Sequence, residues 1–148
     1  MVTIKKKILK SVISMKVILN SDAIQNIKMF QTITSANALD CIENDDMIYF
    51  VLKGADYRIA VSGGRQKIRI AERRFKKKIK VFELSKNLTT FVKRIVPEAF
   101  DIKIDKKIIK LKVKNYDKPK VIGKNKKNLI VIKSFLKRFF DIEDVKII

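Results

Sequence analysis

The stretch Lys118-Pro119-Lys120-Val121-Ile122-Gly123-Lys124-Asn125-Lys126-Lys127-Asn128-Leu129 gathers cations around one glycine. An apolar pair, Val121-Ile122, runs into Gly123-Lys124-Asn125-Lys126. Behind it Leu129, Ile132, Leu136 and Phe139 recur at roughly helical spacing. The glycine permits a sharp turn and a close backbone approach. The helix that follows offers unpaired N–H groups and the positive end of its dipole. With Lys124, Lys126 and Lys127 crowding the same turn, the chemistry suits a phosphate backbone. An earlier corner, Ser62-Gly63-Gly64-Arg65, also precedes a helical pattern, with Ile68, Ala71 and Phe75 on one stripe.

The rest of the composition agrees with a polyanionic partner. The 148 residues carry 35 Lys+Arg against 15 Asp+Glu, a formal net charge of +20. The excess is uneven: residues 85–148 hold 18 positive and 7 negative charges, residues 21–84 hold 12 and 8. The run Arg65, Lys67, Arg69, Arg73, Arg74, Lys76, Lys77, Lys78 and Lys80 contains one acid, Glu72. Most of that run reads as a solvated helix face. Arg65 and Arg69, one turn apart near the helix start, are the expected contacts. Lys120, Lys124, Lys126, Lys127 and Lys133 are their counterparts in the later stretch, with Ile and Val beside each turn as an apolar floor. The chain has no Trp and few aromatics free for stacking, which argues against modules that stack bases.

Enzymatic readings find little support. There is no histidine, and no phosphate loop of the Gly-x-x-x-x-Gly-Lys-Ser/Thr kind. Cys41 alternates within a strand pattern and reads as a core residue. Asp45-Asp46 and Glu143-Asp144 read as turn formers. No cofactor or metal site is expected. The lone cysteine fits a reducing compartment, no apolar run reaches the length of a membrane span, and the expected location is the cytoplasm.

Read in order, residues 1–14 are a basic strand or arm, or lie upstream of a true start at Met15. Ser21 or Asp22 caps a first helix carrying Ile24, Ile27, Phe30 and Ile33. Leu39, Cys41 and Glu43 form a short strand, Glu43–Asp46 a turn, and Met47–Leu52 the strongest strand of the half. Asp56 caps a short helix through Ile59 and Val61. The corner and second helix follow, then a strand over Ile79–Leu84. Adding 61 to each number reproduces the pattern: Phe30 meets Phe91, Cys41 meets Ile102, and Phe50 meets Leu111. Ile68, Ala71 and Phe75 meet Leu129, Ile132 and Leu136. The register fails only near the end, where the last helix runs a turn longer and the strand Val145–Ile148 follows. The division is an N-terminal extension at 1–19, a first unit at 20–84 and a second at 85–148. The short Ser85-Lys86-Asn87 connection predicts rigid packing of the two, in an α+β chain expected to be monomeric.

Each unit thus reads α-β-β-α-α-β, with a turn between its last two helices. This order resembles the type II K-homology (KH) domain, in which a Gly-x-x-Gly turn clamps about four nucleotides. Two tandem copies of this size and charge resemble the archaeal NusA-like transcription factors over roughly residues 15–148. The matches lie in Val121–Asn125, in Phe140–Ile147 and in Ile24–Phe30. The resemblance implies a non-enzymatic factor that binds single-stranded RNA and works with RNA polymerase in elongation or termination. It places RNA contacts at Ser62, Gly63, Gly64, Arg65, Arg69, Lys120, Gly123, Lys124, Asn125, Lys126 and Lys127. The second turn keeps the first family glycine and puts Lys126 at the fourth place. The first turn puts Ser62 and Arg65 at those places, with two glycines inside. A side chain at a place that needs positive φ costs about 1–2 kcal/mol. Two other readings stay open: a ribosome-associated KH protein, and a degenerate KH module that binds protein. A DNA-reading helix-turn-helix is disfavoured because a hairpin precedes each turn.

Overall fold

The computed structural model describes residues 20–148; the expected basic arm and the alternative start at Met15 lie outside the described residues. Contacts divide the described chain into two compact units, parted between Ser85 and Lys86.

The first unit runs α1 (Ser21–Thr34), β1 (Asp40–Glu43), β2 (Met47–Leu52), α2 (Gly54–Val61), α3 (Gln66–Phe75) and β3 (Lys78–Glu83). The second runs α4 (Leu88–Ile95), β4 (Asp101–Asp105), β5 (Ile108–Lys112), a 3-10 turn at Asn115–Asp117, α5 (Lys118–Ile122), α6 (Lys127–Phe140) and β6 (Asp144–Ile147). Each unit holds one three-stranded sheet with strands in sequence order, the first pair antiparallel and the second parallel. The architecture is therefore mixed α+β.

The internal repeat is carried into the register. Cys41 pairs with Phe50 and Ile102 with Leu111; Glu43 pairs with Ile48 and Ile104 with Ile109. Every residue of the two hairpins keeps the 61-residue offset. The last strands do not: Ile48 pairs with Ile79, whereas Ile109 pairs with Val145, five residues further on. A helix of 14 residues replaces one of 10, and one residue is added to the connection. Because that excess is absorbed before β6 begins, Val145 is still buried.

Apolar burial drives both folds. In the first unit Ile48, Phe50 and Leu52 lie beneath Phe30, Ala71 and Ile68, and Phe30 stacks on Phe50 at 4.1 Å. Cys41 is buried in this core. β2 is buried on both faces, with Tyr49 stacked on Phe82. β5 is buried on one face only, so Lys110 and Lys112 stay exposed. In the second unit Leu111 stands where Phe50 does. Phe91 instead meets Phe139 and Phe140, in the added turn of α6, at 6.1 and 5.6 Å.

Several local expectations are corrected. The first helix is capped by Asn20, whose side chain accepts the Ala23 N–H at 2.7 Å; Ser21 and Asp22 lie inside the helix. Asp56 does not cap α2. It accepts the Asn37 N–H at 2.9 Å and ties the chain leaving α1 to α2. Asp144 is the first residue of β6, not of a turn, and its side chain accepts the Val145 N–H. In α4 the first six positions of the repeat are missing, because the chain there is still finishing β3 and crossing between units. Asn26 of α1 reaches Glu43 at 2.9 Å and lies over Cys41. Among the described residues α4 offers no such turn over β4; Phe100 is 62% and Ile104 43% exposed although both continue the core face.

Candidate nucleic-acid interface

At the first corner α2 ends at Val61 and Ser62 is extended, with φ −63° and ψ 163°. Its hydroxyl and N–H both donate to the Ile59 carbonyl. Gly63, Gly64 and Arg65 then take left-handed conformations in succession, at φ 64°, 67° and 66°. The Arg65 N–H donates to Val61 O and the Gln66 N–H to Gly63 O, and α3 begins. The first family place thus needs no glycine here, because Ser62 has negative φ. The strain is concentrated at Arg65, which holds a backbone that a glycine adopts freely.

At the second corner Gly123 has φ 79° and ψ 164°, a region essentially restricted to glycine. Its N–H donates to Pro119 O at 2.8 Å. A Cβ at this place would lie 2.9 Å from the backbone nitrogen of Asn128. Asn125 and Lys126 are left-handed at φ 56° and 61°. The Lys126 N–H donates to Gly123 O, and the Asn128 side chain donates to Lys120 O at 2.8 Å, bracing the end of α5 against the start of α6. The corners differ inside but share their frame, since α3 and α6 begin 61 residues apart behind a left-handed cation.

The two helix starts are electrostatically alike and unlike those of α1 and α4. Asn20 and Asn87 cap α1 and α4 through their side chains. Arg65 and Lys126 provide no side-chain cap, and neither α3 nor α6 has an acid in its first turn. Ser62–Arg65 and Lys124–Lys126 are all exposed. Arg65, Arg69, Lys124 and Lys126 form no ion pair among the described residues. Each corner therefore presents the positive end of a helix dipole, uncapped, beside uncompensated cations.

Other expected contacts are differently placed. Lys120 is exposed but pairs with Glu98 at 3.1 Å, and Lys133 pairs with Asp144 at 3.0 Å, which also holds the Asp144 carboxyl below its ordinary range. Lys127 is half-buried at the start of α6. Sequence reasoning missed Asn128 and Glu98; only the Lys-x-x-Gly-x-x-x-x-Asn spacing hints at the first. Among the described residues no group of three or more Cys, Asp or Glu is placed to hold a metal ion, and no helix is long and apolar enough to cross a membrane.

Fold and site together define a two-unit α+β protein with two exposed basic helix–turn–helix corners. No family model matches the chain. The chain is 28% identical over 139 residues to a protein named probable transcription termination protein NusA from Methanocaldococcus jannaschii, covering 90% of this chain and 76% of that one. It is 29% identical over 140 residues to the protein of the same name from Thermoplasma acidophilum, covering 89% and 96%. Its fold is similar to the crystal structure of APE1850, with TM-score 0.67, 25% identity and coverage of 88% of this chain and all of that one. The resemblance to archaeal NusA-like proteins thus extends over about nine-tenths of the chain.

Proposed function

We propose that this chain is a non-enzymatic NusA-like transcription factor. Its two tandem type II KH domains, residues 20–84 and 85–148, bind single-stranded RNA, and it acts with RNA polymerase during elongation or termination. One observation carries the RNA reading: both corners combine an uncapped, acid-free helix start with a left-handed, exposed cation. That combination destabilises a free helix terminus and favours a bound phosphate. The names of the archaeal relatives support the transcriptional role. If about four phosphates are neutralised, log affinity for single-stranded RNA falls with log salt at a slope of about −3. A titration over a salt series tests this. Absence of binding at low salt, or binding indifferent to salt, refutes it.

A further inference from the structure

We propose that the first unit holds the RNA strand along the whole of α3, through a stripe of Arg65, Arg69, Arg73 and Lys76 that ends in a basic concavity away from the corner. The proposal rests on the RNA-binding reading above and extends it beyond the two corners.

Arg65, Arg69 and Arg73 recur at four-residue spacing, so they line one flank of the helix. Ile68, Ala71 and Phe75 face the core, and Lys67 and Arg74 fall on the opposite flank. Past the helix end, Lys76 takes φ 59° and joins Arg69 and Arg73 around a concavity of about 520 Å³ that Lys77 and Lys78 also line. Two acids line it. Glu72 is engaged by the Ile79 N–H at 3.0 Å, and Asp46 sits at the hairpin turn. Lys77 is taken by Glu43 at 2.6 Å and by the Asn44 carbonyl. Arg69, Arg73, Lys76 and Lys78 form no ion pair among the described residues. From Arg65 to Lys76 the stripe spans about 16 Å.

Folding alone does not account for this arrangement. Cations near the C-terminal end of α3 gain from the helix dipole, but Arg65 and Arg69 sit at the end where a cation is disfavoured. Like charges four residues apart destabilise a helix, and the stripe contains two such pairs, Arg65/Arg69 and Arg69/Arg73. A bound polyanion removes both penalties. The second unit lacks the device: the matching positions are Lys126, Ile130, Ser134 and Lys137, and Ile130 is 57% exposed. The two copies therefore grip differently, the second at its glycine corner and the first along its helix.

The test compares two full-length triple variants of equal charge change. One is Arg69→Gln/Arg73→Gln/Lys76→Gln. The other, off the stripe, is Lys67→Gln/Arg74→Gln/Lys80→Gln. Each is titrated with single-stranded RNA over a salt series. Loss of three phosphate contacts lowers the slope by about 2 in the first variant, so a fourfold rise in salt costs it about 16-fold less affinity than wild type. The control keeps the wild-type slope. The first variant melts close to wild type, because the loss of two like-charge pairs offsets the loss of two cations from the C-terminal end of the helix. Equal slopes in the two variants, or a markedly lower melting temperature in the first, overturn the stripe while leaving the corners intact. Tighter binding of wild type to polyglutamate than to RNA overturns RNA as the occupant. If wild type binds no RNA at low salt, the functional reading itself fails.

Discussion

Gly123→Ala is the sharpest probe of how the second corner is built. At φ 79° and ψ 164° the backbone lies where a side chain costs about 1–3 kcal/mol. The added Cβ also lies 2.9 Å from the backbone nitrogen of Asn128, which cannot swing aside as a side-chain tip can. Relief requires the start of α6 to shift, together with the Asn128 bond to Lys120 O. Placing the strain near the top of its range, and subtracting about 0.4–1 kcal/mol for the stiffer unfolded chain, leaves a net loss of about 2–3 kcal/mol. Gly63→Ala and Gly64→Ala are the controls. Both are left-handed, at φ 64° and 67°, with nothing within 4 Å of the new Cβ. Left-handed strain of about 1–2 kcal/mol, less the same unfolded-state gain, predicts a loss of about 0.5–1 kcal/mol for each. Urea denaturation followed by far-UV circular dichroism suits a chain without Trp, and a constant slope against urea shows that the unfolded state is unchanged. If Gly123→Ala loses no more than Gly63→Ala, the close approach to Asn128 does not constrain the corner.

Three further outcomes follow from the same geometry. Lys126→Gly and Arg65→Gly relieve left-handed strain of about 1–2 kcal/mol at the cost of a looser unfolded chain. Each should gain about 0.5–1 kcal/mol in the denaturation assay while RNA titration shows weaker binding. Lys124→Asp combined with Asn125→Asp should weaken RNA binding strongly by charge repulsion at the second corner with an unchanged dichroism spectrum; undiminished affinity would point to a protein-binding module instead. The Glu43 carboxyl is held below its ordinary value mainly by its hydrogen bond from Lys77, against the opposing effect of partial burial. Its contribution is therefore complete above the unfolded value and is lost as pH falls through the lower folded value, so Glu43→Gln should show a shallower acid limb in stability measured from about pH 7 down to pH 3.

Much of the fold was legible because the repeat fixes it twice over. The alternation of Ile48, Phe50 and Leu52, repeated in Ile109, Leu111 and Val113, predicted both hairpins. Local rivalry defeated other readings. Asn20, Ser21 and Asp22 are all good caps, and only the geometry of the Ala23 N–H selects Asn20. Asp56 prefers a partner 19 residues away to its own helix. The exposure of Phe100 could not be read from its pattern, which continues the core face that is buried at Cys41 and half-buried at Leu39 in the first unit. At the corners, the positions of the cations were legible but the path between them was not. Which glycine carries φ > 0 depends on how each helix ends. The pairing of Lys120 with Glu98 joins segments 22 residues apart and leaves no local trace.

The added turn of α6 makes the two halves unequally vulnerable. Where the first unit builds its aromatic centre between a helix and its middle strand, the second borrows Phe139 and Phe140 from residues its sibling does not have. Injury at that far tip, by clipping or by a misplaced charge, would loosen one half and spare the other. Such a molecule would lose its glycine corner first and keep its arginine-lined helix, so that partial damage would dull its grip before releasing it.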